Sequence, residues 1–145
     1  MRYLGIDFGE KRIGVAVSDD QARLAVPVGV VHRHNDYDSI GELREMALER
    51  DVGALVVGRP TRLDGRPGSL AKRVGRFAER LSAACRLPLF FIDETLTSVE
   101  AEHRSRDRVA PRDQPVDAVA ARILLQDWLD QEQRGESAPE RSAQR

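Results

Sequence analysis

Apolar residues in this chain fall into short runs and helical periods that alternate along its length. Tyr3 to Ile6 and Ile13 to Val17 flank a polar, glycine-bearing turn, which predicts a β-hairpin. Leu24 to His32 reads as a third strand, with Pro27 arguing for an edge position or a bulge. From 38 to 50, Ile40, Leu43 and Ala47 recur at helical spacing with Met46 alongside. Gly53 to Gly58 is short, apolar and β-branched, as in a parallel strand buried on both faces. The stretch 59–68 reads as a loop. A helix is expected over 69–85, its stripe formed by Leu70, Val74, Phe77, Leu81 and Cys85. Leu87-Pro88 ends it, and Leu89 to Ile92 forms the next strand. Thr97 and Glu100 make a capping box, so a short helix is expected from there. Residues 104–114 lack an apolar period and read as a loop. A last helix runs from about Pro115 to Gln133 on a stripe of Ala121, Leu124 and Trp128.

The whole is an α/β chain. Its 145 residues suit one domain with a core large enough to need no disulfide. We assign that domain to 1–133. The stretch 134–145 has no aliphatic side chain larger than alanine and is expected to be a disordered tail. Cys85 is the one cysteine, which fits a reducing compartment. With a strand beginning almost at Met1, no signal segment is expected, and no apolar run approaches a membrane span. These points predict a cytoplasmic protein that does not enter membranes.

Net charge is −1, so the molecule as a whole is not a basic nucleic-acid binder. Its cations are clustered, however, and nearly all are arginine, whose guanidinium matches phosphate oxygens. Lys11 and Arg12 sit on the first turn, Arg59, Arg62 and Arg66 follow a buried strand, and Arg104, Arg106, Arg108 and Arg112 crowd the late loop.

Three acids stand where an apolar framework would aim them inward. Asp7 interrupts the first strand, Glu94 leaves the strand that ends at Ile92, and Asp117 lies one turn before Ala121 on the last helix. Each also has a local explanation. Asp7 and Glu94 suit side-chain turns, and Asp117 suits the positive end of a helix dipole. Read together, they are expected to converge, and converging carboxylates need a cation to remain ionised. Mg²⁺ or Mn²⁺ takes oxygen ligands, and such ions can activate water for phosphodiester cleavage. His32 and His34 are read as polar residues leaving a strand rather than as metal ligands.

Three strands followed by helix-strand-helix-strand-helix-helix is the order of the ribonuclease H-like fold, a five-stranded mixed sheet with strand 2 antiparallel. More specifically, Gly5-Ile6-Asp7-Phe8-Gly9, Lys11-Arg12-Ile13-Gly14-Val15-Ala16, Ser18-Asp19, Val57-Gly58-x-Pro60, Asp93-Glu94 and Asp117-x-x-Ala120-Ala121-x-Ile123-Leu124 resemble the YqgF/RuvX family over roughly residues 2 to 130. The resemblance implies a ribonuclease H-like nuclease acting in 5′ maturation of 16S ribosomal RNA or, by relation to RuvC, on Holliday junctions. It implies Asp7, Glu94 and Asp117 as catalytic metal ligands, with Asp93 adjacent to Glu94 as an alternative. Lys11, Arg12, Arg59, Arg104, Arg106 and Arg108 would contact phosphates. Two positions depart from the family pattern. Thr95 stands where arginine is common after Asp-Glu, and Arg59 where leucine is common between Val-Gly and Pro.

The implied partner is pre-rRNA or branched DNA, bound by a monomer or a homodimer. Two other readings compete. The first strand also resembles the phosphate-binding hairpin of actin-like ATPases, which close two such domains around ATP, where this length provides one. A non-catalytic nucleic-acid-binding module on the same fold is the other.

Overall fold

β1 (Arg2–Phe8) alternates, and the alternation sets the architecture. Leu4, Ile6 and Phe8 are buried on one face, while Gly5 and Asp7 point to the other. The computed structural model describes residues 1–9, 11–61, 69–95 and 116–135. The helix expected at Thr97, the arginine loop with Arg104, Arg106 and Arg108, and residues 136–145 of the tail lie outside them.

The hairpin forms as predicted, with β2 (Arg12–Ser18) antiparallel to β1. Gly9 closes it by donating its amide to the Arg12 carbonyl at 2.9 Å. A Cβ on Gly9 would strike that carbonyl, so the turn itself requires this glycine. Ser18-Asp19 is structural too. The Ser18 hydroxyl accepts the Tyr3 amide at 2.8 Å, tying the ends of the hairpin together. The Asp19 carboxylate accepts the amides of Arg23 and Leu24 at 2.8 and 3.2 Å, and these bonds hold its pKa below the ordinary carboxylate value.

β3 (Ala25–His32) pairs with β2 and sits at the sheet edge, where Pro27 is tolerated. The register slips between Val15 and Ala16 beside it, so both expectations for Pro27 hold. α1 (Asp36–Glu49) starts two residues before the apolar period does. Asn35 caps it by accepting the Asp38 amide, and the added turn exposes Tyr37, so no hydrophobic spacing marks it.

β4 (Val52–Thr61) and β5 (Leu89–Thr95) correct two readings. Arg59 and Pro60 belong to a strand and not to a loop, and Glu94 lies within β5 instead of beyond it. The two strands stay paired through Arg59↔Asp93 and Pro60↔Glu94, beyond the last pair of β1 with β4, Ile6↔Val57. Pro60 therefore falls where β4 has one partner, the edge setting in which proline is permitted.

The sheet order is β3-β2-β1-β4-β5, with β1, β4 and β5 parallel and β2 antiparallel, as expected for the ribonuclease H-like arrangement. α1 and α2 (Ser69–Cys85) cover one face, with Phe77 and Leu81 of α2 in one cluster with Leu4, Ile6, Leu55 and Val57 of the strands. α3 (Val116–Gln133) covers the other with Ala121, Leu124, Leu125 and Trp128. It lies close because the sheet beneath it is small. A Cβ on Gly5 would come within 2.7 Å of Leu125 Cβ, and Ala16 is fully buried.

Gln126 fastens α3 to the edge strand. Its Oε1 accepts the Ala25 amide and its Nε2 donates to the Arg23 carbonyl, each at 2.9 Å. Ala25 is buried, so Gln126→Ala leaves its amide without a partner. We expect a loss of about 1–2 kcal/mol in a urea titration with an unchanged slope.

Candidate functional site

The site is assembled at the carboxyl ends of the parallel strands, the end where open α/β sheets bind ligands. Asp7 pairs directly with Gly14 of β2, so their side-chain directions share a face. That face is α3's, since a Cβ on Gly14 would collide with the Asp117 carbonyl. Asp7 therefore points towards the first turn of α3, where Asp117 stands. A residue with a side chain at position 14 would hold the helix off. Glycine lets it lie against the strand that pairs with β1, which sets the Asp117 backbone on the face towards which Asp7 points.

Glu94 reaches the same face from β5. Its Oε2 lies 3.0 Å from where a Cβ on Gly58 would be, and Leu124 Cδ2 is as close to that point. Gly58 thus forms a cradle for the Glu94 carboxylate. Extending the β1–β4 register by one residue puts Asp7 opposite Gly58. With strands about 4.8 Å apart, the Glu94 carboxylate then falls within roughly 8 Å of the Asp7 Cβ.

Asp93 and Arg59 go elsewhere. Alternation along β5 turns Asp93 to the α1/α2 face, where Arg59 Nη2 meets its Oδ1 at 3.0 Å. The same guanidinium lies 4.8 Å from the Phe91 ring centre. Asp93 does not share the position of Glu94, and Arg59 is engaged with Asp93. Lys11 is exposed on the hairpin turn. Arg12, at the start of β2, joins the α3 face. Its Nε stands 3.2 Å from Asp117 Oδ2, with side-chain exposures of 57% and 37%.

Asp7, Glu94 and Asp117 consequently share one face and one end of the sheet, but they are not gathered onto one point. Among the described residues no three His, Cys, Asp or Glu side chains are close enough to hold one metal ion. The donor chemistry fits a hard divalent cation, since every donor is a carboxylate oxygen and Mg²⁺ fills much of its shell with water. The roles of Gly14 and Gly58 and the Arg12–Asp117 pair escape a reading of charges alone. The available signal is that small residues recur at alternate positions, Gly5, Gly14, Ala16 and Gly58, wherever α3 or Glu94 must come close.

No helix among the described residues is long and apolar enough to cross a membrane. A family model described as "RuvX: Holliday junction resolvase" matches residues 1–131. A protein of Thermosynechococcus vestitus named "Putative pre-16S rRNA nuclease" is 44% identical over 130 residues, covering 88% of this chain and 86% of that one. A protein of the same name from Anaeromyxobacter dehalogenans is 44% identical over 133 residues, covering 90% and 97%. Among solved structures, Thermus thermophilus RuvC in complex with a Holliday junction substrate superposes with a TM-score of 0.59 at 17% identity, covering 97% of this chain and all of that one. This last likeness supports the ribonuclease H-like fold.

Proposed function

This chain belongs to the RuvX family, and from that premise we propose that it is a metal-dependent nuclease that hydrolyses phosphodiester bonds of structured nucleic acid, processing the 5′ end of pre-16S ribosomal RNA. The observation that carries the reading is local. Carboxylates from β1, β5 and α3 share one face at the ligand-binding end of the sheet, beside the amino terminus of a helix. Nucleotide hydrolysis between two closing domains has no comparable support in a chain matched as one family unit over 131 residues.

In this reading Asp7, Glu94 and Asp117 hold Mg²⁺ or Mn²⁺. Bound divalent metal would supply an activated water and charge neutralisation at the leaving oxygen. The protein's own groups do the rest. Arg12 and Lys11 take the phosphate next to the scissile bond, and the α3 amino terminus adds a favourable dipole for it. Arg104, Arg106 and Arg108 would extend the backbone contact, and Arg59 would join only by leaving Asp93. Residues 1–133 form the nuclease domain, with 134–145 as its tail. Cytoplasm is the compartment that suits such a substrate.

A DNA junction is the second substrate class, favoured by the family's description. A monomer suits trimming of RNA, whereas paired cuts across a junction call for a homodimer. The test is a cleavage panel of precursor 16S RNA, RNA and DNA duplexes, single strands and four-way junctions, in Mg²⁺ and in Mn²⁺, with solution mass measured alongside. Precursor RNA is expected to be cut, and chelation to stop the cut. A folded, metal-supplied protein that cleaves no member of the panel would make it a binding module.

A further inference from the structure

Asp117 is held by two contacts of different character. Its backbone is fixed, because the carbonyl rests against Gly14 on the strand that pairs with β1. Among the described residues its carboxylate is held by an exposed ion pair, Arg12 Nε to Oδ2 at 3.2 Å. The helix therefore cannot bring the carboxylate to Asp7, but rotation about the side-chain bonds can redirect it. As the structure stands, the carboxylate is engaged with a guanidinium, and no three acids meet at one metal-sized point among the described residues.

We propose that Arg12 is a positioning residue that keeps Asp117 off the metal site until a substrate phosphodiester takes the guanidinium. The inference rests on the nuclease reading given above. An exposed carboxylate–guanidinium pair is weak, so a competing anion readily displaces it. A phosphodiester offers the same fork-shaped acceptor and brings the rest of the nucleic-acid backbone with it. Released, Asp117 can turn towards Asp7 and Glu94 on the face they already share. Phosphate and metal then bind with positive coupling, and each raises the affinity of the other by the same factor. The free protein holds an incomplete metal site, and the substrate completes it.

The test is Mn²⁺ titration calorimetry on the full chain without nucleic acid. Arg12→Gln is expected to bind Mn²⁺ roughly two- to fivefold more tightly than the parent, the span an exposed pair can account for. Lys11→Gln removes a neighbouring cation that no ion pair joins to Asp117, and it is expected to leave Mn²⁺ affinity nearly unchanged. Excess dimethyl phosphate, a minimal phosphodiester, should raise the parent's Mn²⁺ affinity and leave that of Arg12→Gln where it was. Sodium chloride at equal ionic strength controls for screening.

An Arg12→Gln variant that binds no more tightly, or a Lys11→Gln variant that gains as much, overturns the gate. If Asp7→Asn still abolishes Mn²⁺ binding in that case, the nuclease reading stands without it. If Asp7→Asn binds Mn²⁺ as the parent does, the metal site itself is wrong and the gate falls with it. Arg12 is exposed, so the variant should fold, and matched melting curves would establish that it has.

Discussion

Asp7→Asn should lower the rate of cleavage by about a thousandfold while leaving the melting temperature unchanged or slightly higher. The two halves of this expectation have separate causes. Asp7 lies on the central strand, opposite Gly14 and directed at α3. An amide of the same shape keeps the packing and removes a negative charge from a face that also carries Glu94 and Asp117. Repulsion among carboxylates therefore falls, and stability does not suffer. Activity does suffer, because an amide oxygen is a poor ligand for a hard cation and the site has few other donors. Losing about 4 kcal/mol of the stabilisation a metal ion supplies corresponds to the stated rate. Initial rates at saturating Mn²⁺, set beside thermal melts of both proteins, give the answer. Full activity in Asp7→Asn would remove Asp7 from the reaction. A large drop in melting temperature would instead make Asp7 a structural acid of the hairpin.

The parts of the molecule that could be read from the chain are those where one period dominates. β1, β2 and α2 show alternation or a clean apolar stripe, and each forms close to its expected bounds. Pro27 announces the edge because the missing amide excludes a central position. The errors fall where long-range pairing overrides local composition. Arg59-Pro60-Thr61 has the residues of a loop, yet β5 pairs with it and makes it a strand. The same pairing keeps Asp93 and Glu94 on a strand, and alternation then sends them to opposite faces. Adjacent acids that look equivalent in the sequence are separated by a sheet. Asp117 on the α3 stripe was legible from helical spacing, but its engagement with Arg12 was not, since only folding sets the start of β2 beside the start of α3.

Gly14→Ala should be the most damaging single methyl among the described glycines, lowering stability by about 3 kcal/mol and the melting temperature by roughly 10 °C. The added Cβ would occupy the space of the Asp117 carbonyl, with the Ala118 amide nitrogen 3.2 Å away. Both neighbours are backbone, so no side-chain rotation relieves the overlap, and the first turn of α3 must move outward. Gly29→Ala on β3 is the control, because nothing lies within 4 Å of its added Cβ, and it should be neutral. The effect on cleavage should exceed the effect on folding. Measured well below the melting transition, where the variant is folded, activity should still be reduced about a hundredfold, because displacement of a reacting group by about an ångström has that consequence. A variant that melts within a few degrees of the parent would mean that α3 is not seated on Gly14. One that melts early yet cleaves normally when cold would mean that the reaction does not depend on how close Asp117 stands to Asp7.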